Sequence, residues 1–194
     1  MKHLEFFFDF GSPTTYLAHT QMPVLASRTG AEIVYRPMLL GGVFKATGNQ
    51  SPVVVPAKAK WMDGDLKAFA RRYGVPYAHN PWFPVNTIML MRGAVAMQQE
   101  GRLGAYADAI FHAMWVEPQN MNDPQVVGGV LAKAGFEPKQ MLAAVEDQGV
   151  KDALRANTDE AVSRGAFGAP TFFVGEKMFF GQDRLDFVEE ELRS

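Results

Sequence analysis

Ser12 and Pro13 follow directly on the aromatic run Phe6-Phe7-Phe8-Asp9-Phe10-Gly11. Serine is a favoured N-cap and proline a favoured first helical residue, so a helix opens here. The run before it is apolar, aromatic and too short for a helix, and it reads as a buried, parallel strand. A hydroxyl between the C-terminal end of such a strand and a helix N-terminus stands where open α/β sheets bind ligands. Free amides and the helix dipole favour an anion at that place. As a plain N-cap the same residue would contribute only ~1 kcal/mol of stability. Ser12 is not equipped to be a nucleophile, because a serine alkoxide needs an adjacent base. Gly11-Ser12-Pro13 is not a Gly-x-Ser-x-Gly elbow, and His19 lies ~10 Å further along a straight helix.

Other polar groups carry weaker signals. Asp183, in Phe180-Gly181-Gln182-Asp183, is placed to cap a last helix. Lys45 and Lys58 carry charge that is usually solvated. Asn86 follows Trp82-Phe83-Pro84, aromatics that suit a core or a planar ligand. His3, His19, His79 and His112 show no metal-ligand spacing, so no metal is expected.

The whole chain narrows the classes further. It has 194 residues, 47% of them hydrophobic, and no cysteine. Such a length fits one domain, or one domain with an insertion, and buries roughly 70% of the surface the unfolded chain exposes. Without cysteine there is no disulfide framework, no thiolate metal site and no cysteine nucleophile. The formal charge of −2 argues against nucleic acid as a partner. No signal peptide or membrane-length apolar run is visible, so a cytoplasmic location is expected.

These residues must be positioned by a specific order of elements. A strand over 4–10, a helix from Ser12 to about Arg28 and a strand over 31–37 make one βαβ unit. Pro23 is expected to kink that helix or end its first part, and Gly30 to terminate it. Helical periodicity then covers 57–73, 85–100, 105–115, 124–134, 138–146 and 151–164. Thr171–Val174 and Lys177–Phe180 around Gly175-Glu176 predict a hairpin, and a final helix follows over about 184–192. The fold class is therefore α/β.

The order β-α-β … β-β-α resembles the thioredoxin-like fold with an inserted all-helical domain. Phe8-Asp9-Phe10-Gly11-Ser12-Pro13, Phe167-Gly168-Ala169-Pro170-Thr171-Phe172 and Phe180-Gly181-Gln182-Asp183 carry the likeness. Gly48-Asn49, Pro56-Ala57-Lys58 and Asp65-Leu66 extend it through the middle of the chain. Together they resemble the DsbA-like branch, and within it the 2-hydroxychromene-2-carboxylate isomerases and kappa-class glutathione transferases. The resemblance implies a thioredoxin-like domain over 1–45 and 165–194 and a helical insertion over 46–164. It also implies glutathione as cofactor, a small aromatic acid as substrate and a homodimer.

By the same resemblance Ser12 stands where redox members carry a reactive cysteine, so it would stabilise the glutathione thiolate. A free thiol is only about 3% ionised at neutral pH, and lowering its pKa by two units takes ~2.7 kcal/mol. A hydrogen bond to a charged group supplies about 1.5–3 kcal/mol, and a helix N-terminus about 0.3–2. Ala169, before a cis-proline, would offer its backbone to glutathione. Phe180, Gly181, Gln182 and Asp183 would hold the γ-glutamyl end. Asn49 and Lys58 would approach the glycyl end or the acidic substrate, with Lys45 a further cation for the substrate carboxylate and Asn86 lining the same cleft. Thr14 departs from the family, which often has an aromatic there. A glutathione-dependent isomerase is the leading expectation. A kappa-class-like transferase and a non-catalytic binding module are the alternatives.

Overall fold

The computed structural model describes residues 2–194. Its sheet is built around β1 (His3–Phe8). On one side β1 pairs in parallel with β2 (Glu32–Pro37) and on the other antiparallel with β3 (Thr171–Val174), which pairs with β4 (Lys177–Phe180). The strand order is β2-β1-β3-β4. The aromatic run explains why β1 lies inside. Phe6, Phe7 and Phe8 are all fully buried, because both faces of the sheet are covered. Phe6 and Phe8 enter the larger core, where Phe6 stacks on Phe172 with 5.1 Å between ring centres. Phe7 points the other way, to Phe173, Met38, Val43 and Ala161.

Helix α1 (Pro13–Thr29) connects the two parallel strands. Ser12 caps it by accepting from the Thr15 amide, and Gly30 ends it with φ 69°. The helix continues through Pro23 to Thr29, so of the two effects expected of Pro23, a kink or an end to its first part, the second does not occur. Helix α2 (Leu40–Thr47) occupies a stretch for which the hydrophobic pattern predicts no element. Then come α3 (Pro56–Tyr73), α4 (Ile88–Gln99), α5 (Leu103–Trp115), α6 (Pro124–Lys133), α7 (Pro138–Glu146) and α8 (Gln148–Ser163). Helix α9 (Leu185–Arg193) closes the chain after β4. Asp183 does not cap it: a 3-10 turn over Gln182–Arg184 intervenes, Arg184 takes the N-cap position, and no side chain caps the helix. Among the described residues no helix is long and apolar enough to cross a membrane.

Candidate functional site

The end of β1, the head of α1 and the turn before β3 meet at Ser12. The residue is 6% exposed. The Oγ accepts from the Thr15 amide at 3.2 Å and lies 3.2 Å from the Ala169 carbonyl oxygen. The Thr14 hydroxyl, in the first turn of the helix, is 2.8 Å from Ser12 Oγ and also 3.2 Å from that carbonyl. The Ala169–Pro170 peptide is cis, and so is Phe83–Pro84.

Asp9 holds this corner together, a role that its place in an aromatic run did not disclose. It is 1% exposed. Its Oδ1 accepts from the Gly11 amide and its Oδ2 from the Leu40 amide, both at 2.8 Å. The Thr87 hydroxyl is a further partner. One carboxylate therefore fixes the turn before Ser12, the start of α2 and the approach to α4. Burial pushes its pKa above the ordinary carboxylate value, against the opposing effect of the Gly11, Leu40 and Thr87 bonds. Trp115 adds a bond from its indole nitrogen to the Phe10 carbonyl at 2.8 Å.

A rim of backbone and aromatic groups continues from Ala169. The Gly181 amide donates to the Pro170 carbonyl at 3.0 Å. Gly181 has φ 102°, a conformation that side chains resist. The Phe180 and Phe167 rings lie 4.6 Å apart. A Cβ on Gly168 would lie 2.7 Å from Phe180 Cε2, so glycine alone allows this approach. The Asn49 amide side chain donates to the Phe167 carbonyl at 2.8 Å. Ser12 meets Ala169 directly, while Asn49, Phe180 and Gly181 contact its neighbours Phe167 and Pro170 in the same turn.

Gln182 is buried, and its carbonyl accepts from the Tyr73 hydroxyl at 2.7 Å. Burial pushes the Tyr73 pKa up to about 12. Asp183 pairs with Arg184 at 2.9 Å and lines a cleft of about 280 Å³ with Tyr73, Arg72 and Asp186. Asp65 of α3 is raised above the usual carboxylate range, first by burial and then by the charge of Asp183. Asp65 lies in the Asp65-Leu66 pair, but nothing in its spacing along the chain shows that it feels the charge of Asp183.

The remaining candidates sit further out. Lys45 is exposed on the last turn of α2, one turn before Asn49. Lys58 is exposed in the first turn of α3. Asn86 lies just before Thr87, the N-cap of α4, and its Oδ1 accepts from the Ile88 amide at 3.2 Å. It lines an apolar cavity of about 330 Å³ with Met89, Leu131 and Met141, which Ser12 does not line. Among the described residues no hydrogen bond joins Lys58 or Asn86 to Ser12.

The groups present fit a tripeptide thiol by their chemistry. There is a hydroxyl at a helix head for a sulfur anion, the Asp183 carboxylate for an ammonium, and exposed lysines for carboxylates. Comparison with known proteins decides the lineage. The family model of the DSBA-like thioredoxin domain matches residues 3–193. The chain belongs to the DsbA-like thioredoxin family. Within the family it is 34% identical to a 2-hydroxychromene-2-carboxylate isomerase of Sphingobium xenophagum, over 98% of both chains. It is 28% identical to glutathione S-transferase kappa 1 of Caenorhabditis elegans, over 100% of this chain and 92% of the relative. A solved 2-hydroxychromene-2-carboxylate isomerase superposes with a TM-score of 0.87 at 28% identity, covering 97% of this chain and 93% of that one. These relatives place the chain among the family's isomerase-type enzymes.

Proposed function

We propose that this enzyme is a glutathione-dependent isomerase that interconverts a 2-hydroxychromene-2-carboxylate-like acid and a trans-2-hydroxybenzylidenepyruvate. The observation that carries the reading is the Ser12 hydroxyl, capping α1 and 3.2 Å from the Ala169 carbonyl, in a chain without cysteine. With no thiol of its own, the chain has no use for this position in disulfide exchange. It retains a donor and a helix N-terminus suited to an anion.

Each residue then has a task. Ser12 donates its proton to the ligand sulfur while its oxygen accepts from Thr15, and this favours the ionised thiol. Ala169 presents backbone to a peptide-like ligand, as a strand edge does. Asp183 meets the γ-glutamyl ammonium, with the charge of Asp65 adding to the negative field there, and Gln182 and the Phe180-Gly181 backbone border that end. Asn49 and Lys58 serve the glycyl end or the acidic substrate. Lys45 and Asn86 are further candidates for contacts to the substrate. When bound, glutathione supplies a thiolate, both a good nucleophile and a good leaving group, for reversible addition to the conjugated double bond.

The test is incubation with a hydroxychromene carboxylate, followed by ultraviolet absorbance. The reading predicts a spectral change to the trans-benzylidenepyruvate that requires both enzyme and glutathione. A rate independent of glutathione, or no change at all, would overturn it. The kappa-class relatives support a second reading, conjugation of electrophiles. A stable glutathione adduct of chlorodinitrobenzene, formed without isomerase activity, would favour that one.

A further inference from the structure

Ser12, Thr14 and the Ala169 carbonyl form a triangle of oxygens with sides of 2.8, 3.2 and 3.2 Å. Two hydroxyl protons serve its three sides, so the protons can be placed in more than one way. The placement matters because Ala169 is only 9% exposed. A buried carbonyl that loses its donor pays the desolvation of an unpaired acceptor. If Ser12 alone served that carbonyl, turning its proton toward any other acceptor would leave the carbonyl bare.

We propose that Thr14 is a positioning residue that takes over the Ala169 carbonyl and so frees the Ser12 proton for the ligand sulfur. The inference rests on the glutathione reading above and adds the residue that makes Ser12's donation inexpensive. Thr14 is placed for this. It lies on the first turn of α1, half-buried, with its hydroxyl already within reach of both other oxygens. The exchange breaks one O–H···O bond, from Ser12 to Ala169, and forms one from Ser12 to sulfur. The Thr14 hydroxyl keeps its proton and holds, or turns to make, its hydrogen bond to the Ala169 oxygen. No other group in the turn need shift, because Ser12 Oγ keeps the Thr15 amide as a donor throughout.

The test removes only the hydroxyl. Thr14→Val keeps the shape of the side chain, and Thr14→Ser restores the donor. Glutathione is titrated into each variant across pH, and the ultraviolet thiolate absorbance of the bound ligand is read. S-methylglutathione, which has no ionisable sulfur, measures binding alone. In Thr14→Val the thiolate-to-thiol ratio of bound glutathione is expected to fall about five- to tenfold, as for one unpaired buried acceptor. Thr14→Ser should stay near the wild type, and S-methylglutathione should bind all three proteins within about twofold. Added to Ser12→Ala, Thr14→Val should have no further effect on the ratio, since the proton it frees is gone.

Two outcomes would overturn the proposal. One is an unchanged ratio in Thr14→Val. The other is an equal loss of both ligands, which would make Thr14 a packing residue only. Ser12→Ala in the same titration separates this failure from that of the wider reading. If Ser12→Ala lacks the thiolate band while Thr14→Val matches the wild type, only the role of Thr14 falls. If Ser12→Ala retains the band, the glutathione-activation reading falls with it.

Discussion

Replacing Asp9 tests how the site is held. Its two carboxylate oxygens accept from the Gly11 and Leu40 amides at 2.8 Å each, at a position 1% exposed. Hydrogen bonds to a charged group contribute about 1.5–3 kcal/mol each, and a buried donor left unpaired costs about 1–3. The burial that raises the Asp9 pKa opposes this, because the charged form is poorly solvated. The balance for Asp9→Ala is a loss of about 2–4 kcal/mol in unfolding free energy. Asp9→Asn should lose about half of that, since one amide oxygen can serve only one of the two amides well. The pH dependence has a definite sign. A carboxyl whose pKa is higher in the folded state binds its proton more tightly there than in the unfolded chain. Its contribution is therefore largest below the ordinary carboxylate range and decreases as pH rises through the folded value. Asn does not titrate, so the advantage of wild type over Asp9→Asn should shrink between acidic and neutral pH. Urea denaturation at several pH values measures both effects. A cost below about 0.5 kcal/mol for Asp9→Ala, or an advantage that grows with pH, would refute the reasoning.

Further outcomes follow from the carboxylates and from the rim. Bound ammonium should favour ionised Asp65, so glutathione affinity should rise with pH through the raised Asp65 range. Asp65→Asn should flatten that rise and Asp183→Ala should weaken affinity more than turnover, both measurable by calorimetry and kinetics. Gly168→Ala places a methyl 2.7 Å from Phe180 Cε2, which must move. Phe180 is 41% exposed and can swing outward, so the fold should lose no more than about 1–2 kcal/mol. Glutathione binding should weaken several-fold, and an unchanged affinity would detach Phe180 from the site.

The parts of the fold that follow local rules were legible in the sequence. The Phe6-Phe7-Phe8 run needs two covered faces and has them. Ser12-Pro13 and Gly30 mark the ends of α1 as their chemistry requires. The hairpin at Gly175-Glu176 also lies where turn residues put it. Helix α2 was not legible, because Gly41-Gly42 weakens the helical pattern. Its start is satisfied instead by Asp9, from a distant part of the chain. The turn after β4 misled for a related reason. Asp183 is an apt cap by type, but the 3-10 turn moves the start of α9 on by one residue, and the carboxylate pairs with Arg184 instead. Spacing along the chain does not show long-range meetings such as that of Asp9 with the Leu40 amide. The triangle of Ser12, Thr14 and Ala169 is another, joining residues 157 apart.

The most direct measurement of the central claim is the ultraviolet difference spectrum on adding glutathione to wild type and to Ser12→Ala at neutral pH. The account predicts a thiolate band in the wild type that Ser12→Ala lacks while still folded and still binding S-methylglutathione. A band of equal strength in the variant would contradict it.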